Sequence, residues 1–539
     1  MKINLVSMHI KDSERAVPLA TAMLASNIKK CHKDAKVFLI DTYLNTSKDD
    51  AIKEILSNKP DIIGFSIYMW NRAVLLEIIK EIKHISPSIL IIVGGPEVTA
   101  DFQTLKNNKD IDLTIPGEGE KIINKIIEQV NNDVQIEEIQ KNISFETIEE
   151  LDSLPSPIID GTLDLKKGLL WELSRGCPFN CSFCYESKGS NKVRRFSIER
   201  INRELDIIAE SNIEQVFVLD PTFNYNKEAA KQILELIHIK APHITFYFEA
   251  RSEFLDEEMA FLFSQITCII QIGVQSINSK VLETINRQID IHGFEKQVYL
   301  LHEASVPYGF DLIYGLPKDS LKSFCKSLDF VIGLAPNHID IFPLSVLPGT
   351  ELADNADRLQ LNYLKDNPYT VTSTTSFQEK EMRRAEKIAN ACTLFYNDGK
   401  AVPWFGIVTR ALKIRPSKFL LQFANWEKID DDTDILTKQI KFVEQLFFEQ
   451  EKTNFAMIAS DIITYFAKLD DFLECDCVYD EGKDCSESFQ LYYNPNELQD
   501  LLDEGITAIE EIDKYIKLAP CSISFQYIKE TDMIDIVFS

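Results

Sequence analysis

Ser174-Arg175-Gly176-Cys177-Pro178-Phe179-Asn180-Cys181-Ser182-Phe183-Cys184-Tyr185 sets three cysteines in a C-x3-C-x2-C spacing. The stretch follows an apolar run, Leu169-Leu170-Trp171-Glu172-Leu173, that reads as a strand. A loop of this length curls three thiolates around one corner of a cube and leaves one metal without a protein ligand. Thiolate sulfur is the soft donor that iron–sulfur clusters select, and a vacant iron is open to a small chelating ligand. Zinc is the competing reading, but structural zinc sites close with a fourth ligand, usually through paired C-x2-C units. No second such pair or nearby histidine follows this loop. A disulfide needs an oxidising compartment, of which the chain shows no sign.

The 539 residues suit about three or four domains. A hydrophobic fraction of 45% gives ample material for buried cores. With 57 basic and 84 acidic side chains the formal net charge is −27, which repels phosphate backbones and argues against nucleic acid as a partner. The N-terminal residues pass straight into a strand pattern without a signal-peptide layout, and no uncharged apolar run reaches the length of a membrane span. Eleven cysteines without regular pairing fit a reducing cytoplasm.

Upstream, Ile3–Ser7, Val37–Asp41, Ile62–Ile67, Leu90–Val93 and Ile111–Ile115 read as buried strands with helical patterns between them. Such βαβ units predict a parallel, doubly wound sheet over residues 1–135, with ligands at the carboxyl ends of its strands. The loops to watch carry Ser66, Tyr68, Met69 and Trp70, then Gly94-Gly95-Pro96-Glu97, then Gly117-Glu118-Gly119. No G-x-G-x-x-G follows the first strand, so a dinucleotide site is not expected. Residues 136–167 read as a linker, extended at Ser153-Leu154-Pro155-Ser156-Pro157 because residues before proline avoid the helical region.

The βα rhythm resumes over residues 168–370. Leu169–Leu173, Gln215–Leu219, Thr245–Glu249, Ile269–Gly273, Gly309–Ile313 and Ile339–Leu344 are the expected strands, too few for a closed eight-stranded barrel. Polar groups gather at their ends: Asp220-Pro221, Glu249-Ala250-Arg251, Gln275-Ser276, Asp311 through Gly315, and Pro348-Gly349-Thr350.

The cysteine loop, with Phe183 just before the third cysteine, resembles the signature of the radical SAM superfamily. The strand-end motifs resemble, in the same order, those of its cobalamin-associated branch, and the "GGPE" then "PGEGE" loops resemble the cobalamin-binding domain that precedes many such enzymes. The resemblance implies an N-terminal Rossmann-like cobalamin domain, a partial (β/α)6 barrel and a third region. It implies a 4Fe–4S cluster on Cys177, Cys181 and Cys184, with S-adenosylmethionine near Phe183, Asp220, Pro221, Arg251, Gln275, Ser276 and Gly315. Cobalamin is expected against Ser66, Tyr68, Met69, Trp70, Gly94, Gly95, Pro96, Glu97, Gly117, Glu118 and Gly119. One departure stands out. Where histidine-ligating cobalamin domains carry D-x-H-x-x-G, this chain has Ser7-Met8-His9-Ile10-Lys11-Asp12, so no histidine ligand to cobalt is expected.

The function implied is reductive cleavage of S-adenosylmethionine, hydrogen abstraction from an unactivated carbon and methylation through methylcobalamin. Rearrangement, cyclisation or oxidation without methyl transfer is the alternative, and a non-catalytic cluster and cobalamin sensor a minor one. A small-molecule or peptide substrate and a flavodoxin- or ferredoxin-type reductant are the expected partners; catalytic side chains are not assigned. Residues 371–539 lose the βα rhythm and read as mainly helical, ending in a hairpin. Within them Cys475, Cys477 and Cys485 invite a metal reading, against which stands an acidic surface loop with free thiols. Cys31, Cys268, Cys325 and Cys392 read as core residues.

Overall fold

The computed structural model describes residues 1–166, 168–186, 192–426, 433–474, 487–528 and 533–538. Cys475, Cys477 and Cys485 lie outside the described residues.

The strands form where β-branched runs meet turn residues. They are β1 (Lys2–His9), β2 (Lys36–Tyr43), β3 (Ile62–Ser66), β4 (Leu90–Gly94) and β5 (Leu113–Thr114), all parallel in the order β2-β1-β3-β4-β5. The order reverses between β1 and β3, and a sheet wound this way opens its crevice at the carboxyl ends of the strands there. Helices Leu19–Cys31 and Glu120–Asn131 cover one face, and Lys48–Leu56 and Arg72–Ile85 the other. Residues 136–167 are less extended than their prolines suggest, with a helix at Ile136–Asn142 and a 3-10 turn at Leu151–Ser153.

The second sheet comprises β6 (Gly168–Trp171), β9 (Gln215–Val218), β10 (Thr245–Ala250), β11 (Cys268–Gln275), β12 (Tyr308–Tyr314) and β13 (His338–Pro343). It is parallel throughout, in the order β13-β12-β11-β10-β9-β6, so six strands curl without closing. Between β6 and β9 a short antiparallel hairpin, β7 (Ser174–Arg175) with β8 (Arg194–Arg195), frames the cysteine loop. Phe246, Phe248, Ile270, Ile272, Phe310 and Leu312 face outward into the core beneath the helices. Their alternates, among them Tyr247, Glu249, Gln271 and Asp311, therefore line the concave side.

The C-terminal region is mainly helical. A π-helical turn, Cys392–Asp398, extends the helix Glu379–Ala391 and buries Phe395 among Trp404, Phe405, Phe419, Phe423 and Phe442, with ring centroids 4.7–6.2 Å away. The terminal hairpin Cys521–Ile528 and Met533–Phe538 gains a third strand, Phe489–Leu491, that the sequence pattern did not announce. Cys268 and Cys392 are buried, but Cys31 is exposed, contrary to expectation. It ends its helix on the solvent side, where its sulfur accepts a hydrogen bond from Asn124 at 3.3 Å. No described helix is long and apolar enough to cross a membrane.

Truncating Phe395 to alanine is expected to cost about 3–5 kcal/mol, the range for an aromatic side chain lost from a packed interior. Hydrogen exchange checks this: protection should fall in Glu379–Ala391 and Pro416–Ala424 together, while that of β1–β5 is unchanged.

Candidate active site

The cysteine loop is anchored by groups that local sequence does not reveal. Asp220, 1% exposed, accepts hydrogen bonds from the Leu173 and Ser174 amides at 3.1 and 2.9 Å and from the Ser174 hydroxyl at 2.6 Å. Its carboxylate thus fixes the start of the loop. The far side is tied by Ser182 N to Ile285 O, Leu352 N to Ser182 O, and Asn286 Nδ2 to Asn180 O. Gly176 has φ +91°, and a Cβ there would lie 2.7 Å from the Lys192 carbonyl, so the turn into Cys177 requires glycine.

Cys177, Cys181 and Cys184 are free and partly exposed. The Phe179 amide and the Thr222 hydroxyl hydrogen-bond to Cys177, and the Glu186 amide to Cys184. Burial pushes the Cys184 thiol up to about 11, and the charges of Glu186, Cys181 and Cys177 add to the rise. Among the described residues no three His, Cys, Asp or Glu side chains gather closely enough for one ion. A cubane takes three thiolates on three different irons, so its ligands stand further apart than those around a single ion. Three soft donors on one anchored loop, with N–H groups aimed at sulfur, fit a cluster.

Beside the loop, the Arg251 guanidinium lies 3.7 Å from the centroid of the Phe179 ring. Burial and the charge of Arg287 depress its pKa. Arg287, which the sequence reading did not single out, donates to Gly273 O at 2.7 Å. Its side chain folds back across fourteen residues, so no local pattern marks it. Two guanidiniums close together beside three thiols suit a carboxylate. Phe183 packs against the core, and the Ser276 hydroxyl accepts a hydrogen bond from the Asn278 amide at 3.2 Å and shares another with the Ser327 hydroxyl at 3.5 Å. Gly315 has φ +85° and faces Met382, whose Cε would meet a Cβ at 2.7 Å.

A cavity of about 570 Å³ lies between the two sheets. Its walls include Ser66, Tyr68, Gly94, Gly95, Pro96, Gly117, Glu118 and Gly119 from the first sheet's strand ends. Opposite stand Ser174, Arg175, Gly176, Tyr185, Glu186 and Pro221 from the cysteine loop and β9. A Cβ at Gly94 or Gly119 would meet only ordinary contacts, 3.8 and 3.5 Å away, whereas Gly95 (φ +109°) is required because a Cβ would lie 2.7 Å from Ile67 O. A wall of small residues at the switch in strand order fits a bulky planar ligand.

Three expected residues do not line this cavity. Glu97 accepts from Arg72 at 2.8 Å and from Tyr369 at 2.9 Å. Trp70 is 40% exposed and stacks on Tyr68, and the Met69 carbonyl takes the Asn367 amide. His9 is bound at Nε2 by Asp41 at 3.0 Å and likewise stands outside the wall. Among the described residues, no histidine lines the cavity.

Across the cavity's edge runs a charge network the sequence did not disclose. Arg194 donates to Glu118 at 2.6 and 3.0 Å and to Ile148 O at 2.6 Å. Arg175 reaches Glu120 at 2.6 Å and Glu172 at 2.9 Å. Burial raises the Glu118 pKa, but Arg194 and Arg175 outweigh it and hold the carboxyl below the usual range.

The radical SAM superfamily profile matches residues 171–331, and the B12-binding domain profile residues 16–127. The chain thus carries a B12-binding domain followed by a radical SAM domain. These domains imply a 4Fe–4S cluster, S-adenosylmethionine and cobalamin as cofactors. Relatives include the cobalamin-dependent radical SAM methyltransferase TokK of Streptomyces tokunonensis, 25% identical over 328 residues. That alignment covers 54% of this chain and 48% of TokK. The 2-(S-pantetheinyl)-carbapenam-3-carboxylate methyltransferase of Streptantibioticus cattleyicolor is 25% identical over 341 residues, 56% of this chain and 50% of that enzyme. The chain thus spans about half the length of these two relatives. Among solved structures, cobalamin-dependent S-adenosylmethionine radical enzyme OxsB shares the fold at a TM-score of 0.59 and 17% identity, over 95% of this chain and 83% of OxsB.

Two outcomes test this radical SAM site. Asp220→Ala strands the Leu173 and Ser174 amides, at an expected cost of about 1–3 kcal/mol, and should lower the iron bound per chain after reconstitution, measured colorimetrically. Glu118 ionises more readily folded than unfolded, so its contribution is full above the unfolded pKa and lost as pH falls through the folded one. Thermal midpoints measured downward from about pH 5 should therefore fall less steeply in Glu118→Gln than in the parent.

Proposed function

We propose that the chain is a cobalamin-dependent radical SAM methyltransferase that converts an unactivated C–H group of its substrate into C–CH3. The observation that carries this reading is the shared cavity, walled at once by the B12-domain loops and by the flanks of the cysteine loop. When bound, the cluster with S-adenosylmethionine supplies the hydrogen-abstracting radical, and cobalamin supplies the methyl group.

The chain's own residues hold, orient and exclude. Cys177, Cys181 and Cys184 hold the cluster. Arg251 takes the S-adenosylmethionine carboxylate with Arg287 beside it, while Pro221, Gln275, Ser276, Phe183 and Gly315 frame the rest of that cofactor. Ser66, Tyr68, Gly94–Pro96 and Gly117–Gly119 receive cobalamin, with no histidine from the cavity wall for the cobalt. The buried network of Arg175 and Arg194 keeps water from the seam between the two walls. The names of TokK and of the S. cattleyicolor enzyme, both methyltransferases, support methyl transfer over rearrangement. The setting is a reducing cytoplasm with a flavodoxin- or ferredoxin-type reductant and a small-molecule substrate.

Anaerobic incubation of the reconstituted protein with S-adenosylmethionine, reductant and hydroxocobalamin tests the reading by mass spectrometry. Wild type should give 5′-deoxyadenosine and methylcobalamin, and the Cys177→Ala/Cys181→Ala/Cys184→Ala variant neither. 5′-Deoxyadenosine without methylcobalamin would move the assignment to radical rearrangement.

A further inference from the structure

The concave face of the open barrel holds side chains that none of the roles above uses. Glu249 on β10, Gln271 on β11, Asp311 on β12 and Asp340 on β13 project there, since their sequence neighbours face the outer core. Register sets them close: Glu249 pairs with Gln271, and Asp311 with both Gly273 and Asp340. Gln271 Nε2 donates to Asp311 at 2.5 Å and to Asp340 at 3.3 Å, which fixes the carboxamide and leaves its buried Oε1 without a partner among the described residues. Gly309 is required for this arrangement, because a Cβ there would collide with Gln271 Oε1 and the His338 ring.

A second orphan acceptor stands at the rim. Gln275, 8% exposed, folds its carboxamide over the concave face of Gly273, and its Oε1 also lacks a partner among the described residues. Glu249 makes no hydrogen bond or ion pair among the described residues, yet stays open to solvent through the mouth. With Gln275 left to S-adenosylmethionine, the lumen presents three carboxylates and the Gln271 carboxamide oxygen against the His338 ring and Arg15. A carboxylate or phosphate ligand would meet repulsion there, and a hydroxyl would satisfy one acceptor. A cation with several N–H groups would satisfy most of them.

The chain already lodges one cation nearby. Arg15, from the loop after β1, holds its guanidinium 4.5 Å from the centroid of Phe217, which stacks on Tyr247. Arg15 forms no ion pair with the carboxylates among the described residues, and the His338 ring, whose pKa burial lowers, stands with Nε2 4.0 Å from Asp340; their charge is therefore offset only in part. Burial, with repulsion from Asp311 and Asp340, pushes Glu249 above the ordinary carboxylate range against a smaller opposing pull from Arg15, and a bound cation would offset the repulsion.

We infer that the barrel lumen recognises a substrate bearing a protonated primary amine, its ammonium held by Glu249, Asp311, Asp340 and the Gln271 carboxamide oxygen. This rests on the proposed function, in which the substrate lies within reach of the cysteine loop.

Calorimetry on the reconstituted full chain, saturated with S-adenosylmethionine without reductant so that Arg251 and Arg287 are occupied, tests it with three five-carbon probes: cadaverine, 1,5-pentanediol and glutarate. Cadaverine should bind at least roughly tenfold tighter than the diol, and glutarate should not bind. Glu249→Gln and Asp340→Asn should each weaken cadaverine by about tenfold, with iron content and cluster absorbance serving as the check on folding. Equal affinity for cadaverine and the diol, or affinity unchanged in both variants, would overturn the inference. Because this binding is read without turnover, the two readings fail separately. Absent amine selectivity beside normal 5′-deoxyadenosine formation refutes the lumen assignment alone. Amine selectivity without S-adenosylmethionine cleavage refutes the catalytic reading alone.

Discussion

Two arginines on one short hairpin, Arg175 and Arg194, join the first sheet's loops to the cysteine loop. Their partners Glu118 and Glu120 sit where β5 passes into its helix, and each arginine is about nine-tenths buried. Buried ion pairs return little net stability, because desolvation offsets their attraction, but removing one partner strands the other at a cost of several kcal/mol. Such a contact is therefore specific more than it is strong. It defines how the two sheets meet, and the cavity exists only in that arrangement. On another flank, Arg72, Glu97 and Tyr369 fasten the first domain to the segment beyond the barrel.

The same docking resolves a problem set by an open barrel. Six parallel strands that do not close leave β6 and β13 as edges with unpaired backbone groups. At β13 the Asn397 carboxamide exchanges both hydrogen bonds with Ile339, at 2.9 Å each, and so imitates one more strand residue. The π-helical turn delivers Asn397 there, since widening the helix shifts its face without ending it. At β6 the loop after β1 lies so close that Gly168 admits no side chain against the Glu14 carbonyl. Both edges are thereby covered by regions outside the barrel.

What the sequence disclosed was what local pattern determines. The cysteine spacing, the apolar strands and the order of strand-end motifs are all properties of neighbouring residues, and they were legible. The direction of individual side chains was not. Glu97 sits in a loop that suits a ligand, but it turns to Arg72 because a buried carboxylate needs a cation and one is supplied from twenty-five residues away. Asp220 follows its strand at a turn whose backbone groups were expected to meet the cofactor, and its carboxylate is used separately, by the loop that starts at Leu173. Arg175 was quoted within the signature without any hint of its acidic partners, which come from another domain. Trp70 offered no pattern to tell a ligand wall from a solvated stack on Tyr68.

The lumen differs because its signal is spread over four strands, one residue from each. No window of sequence contains Glu249, Gln271, Asp311 and Asp340 together; Glu249 and Asp311 were legible as strand-end polar groups, but only the sheet register sets them beside Gln271 and Asp340. The chain's net charge of −27 does not account for their effect. Surface charges are screened beyond about 8–10 Å at physiological salt, whereas charges on neighbouring strands of one concave face lie well within that distance. The field at the barrel mouth is therefore set by these local groups and by Arg15. Because Arg15 belongs to the first domain, that domain does more than carry a cofactor loop to the cavity. Its docking adjusts the charge of the space beneath the cysteine loop, so the seam that positions the two walls also tunes what the barrel between them can hold.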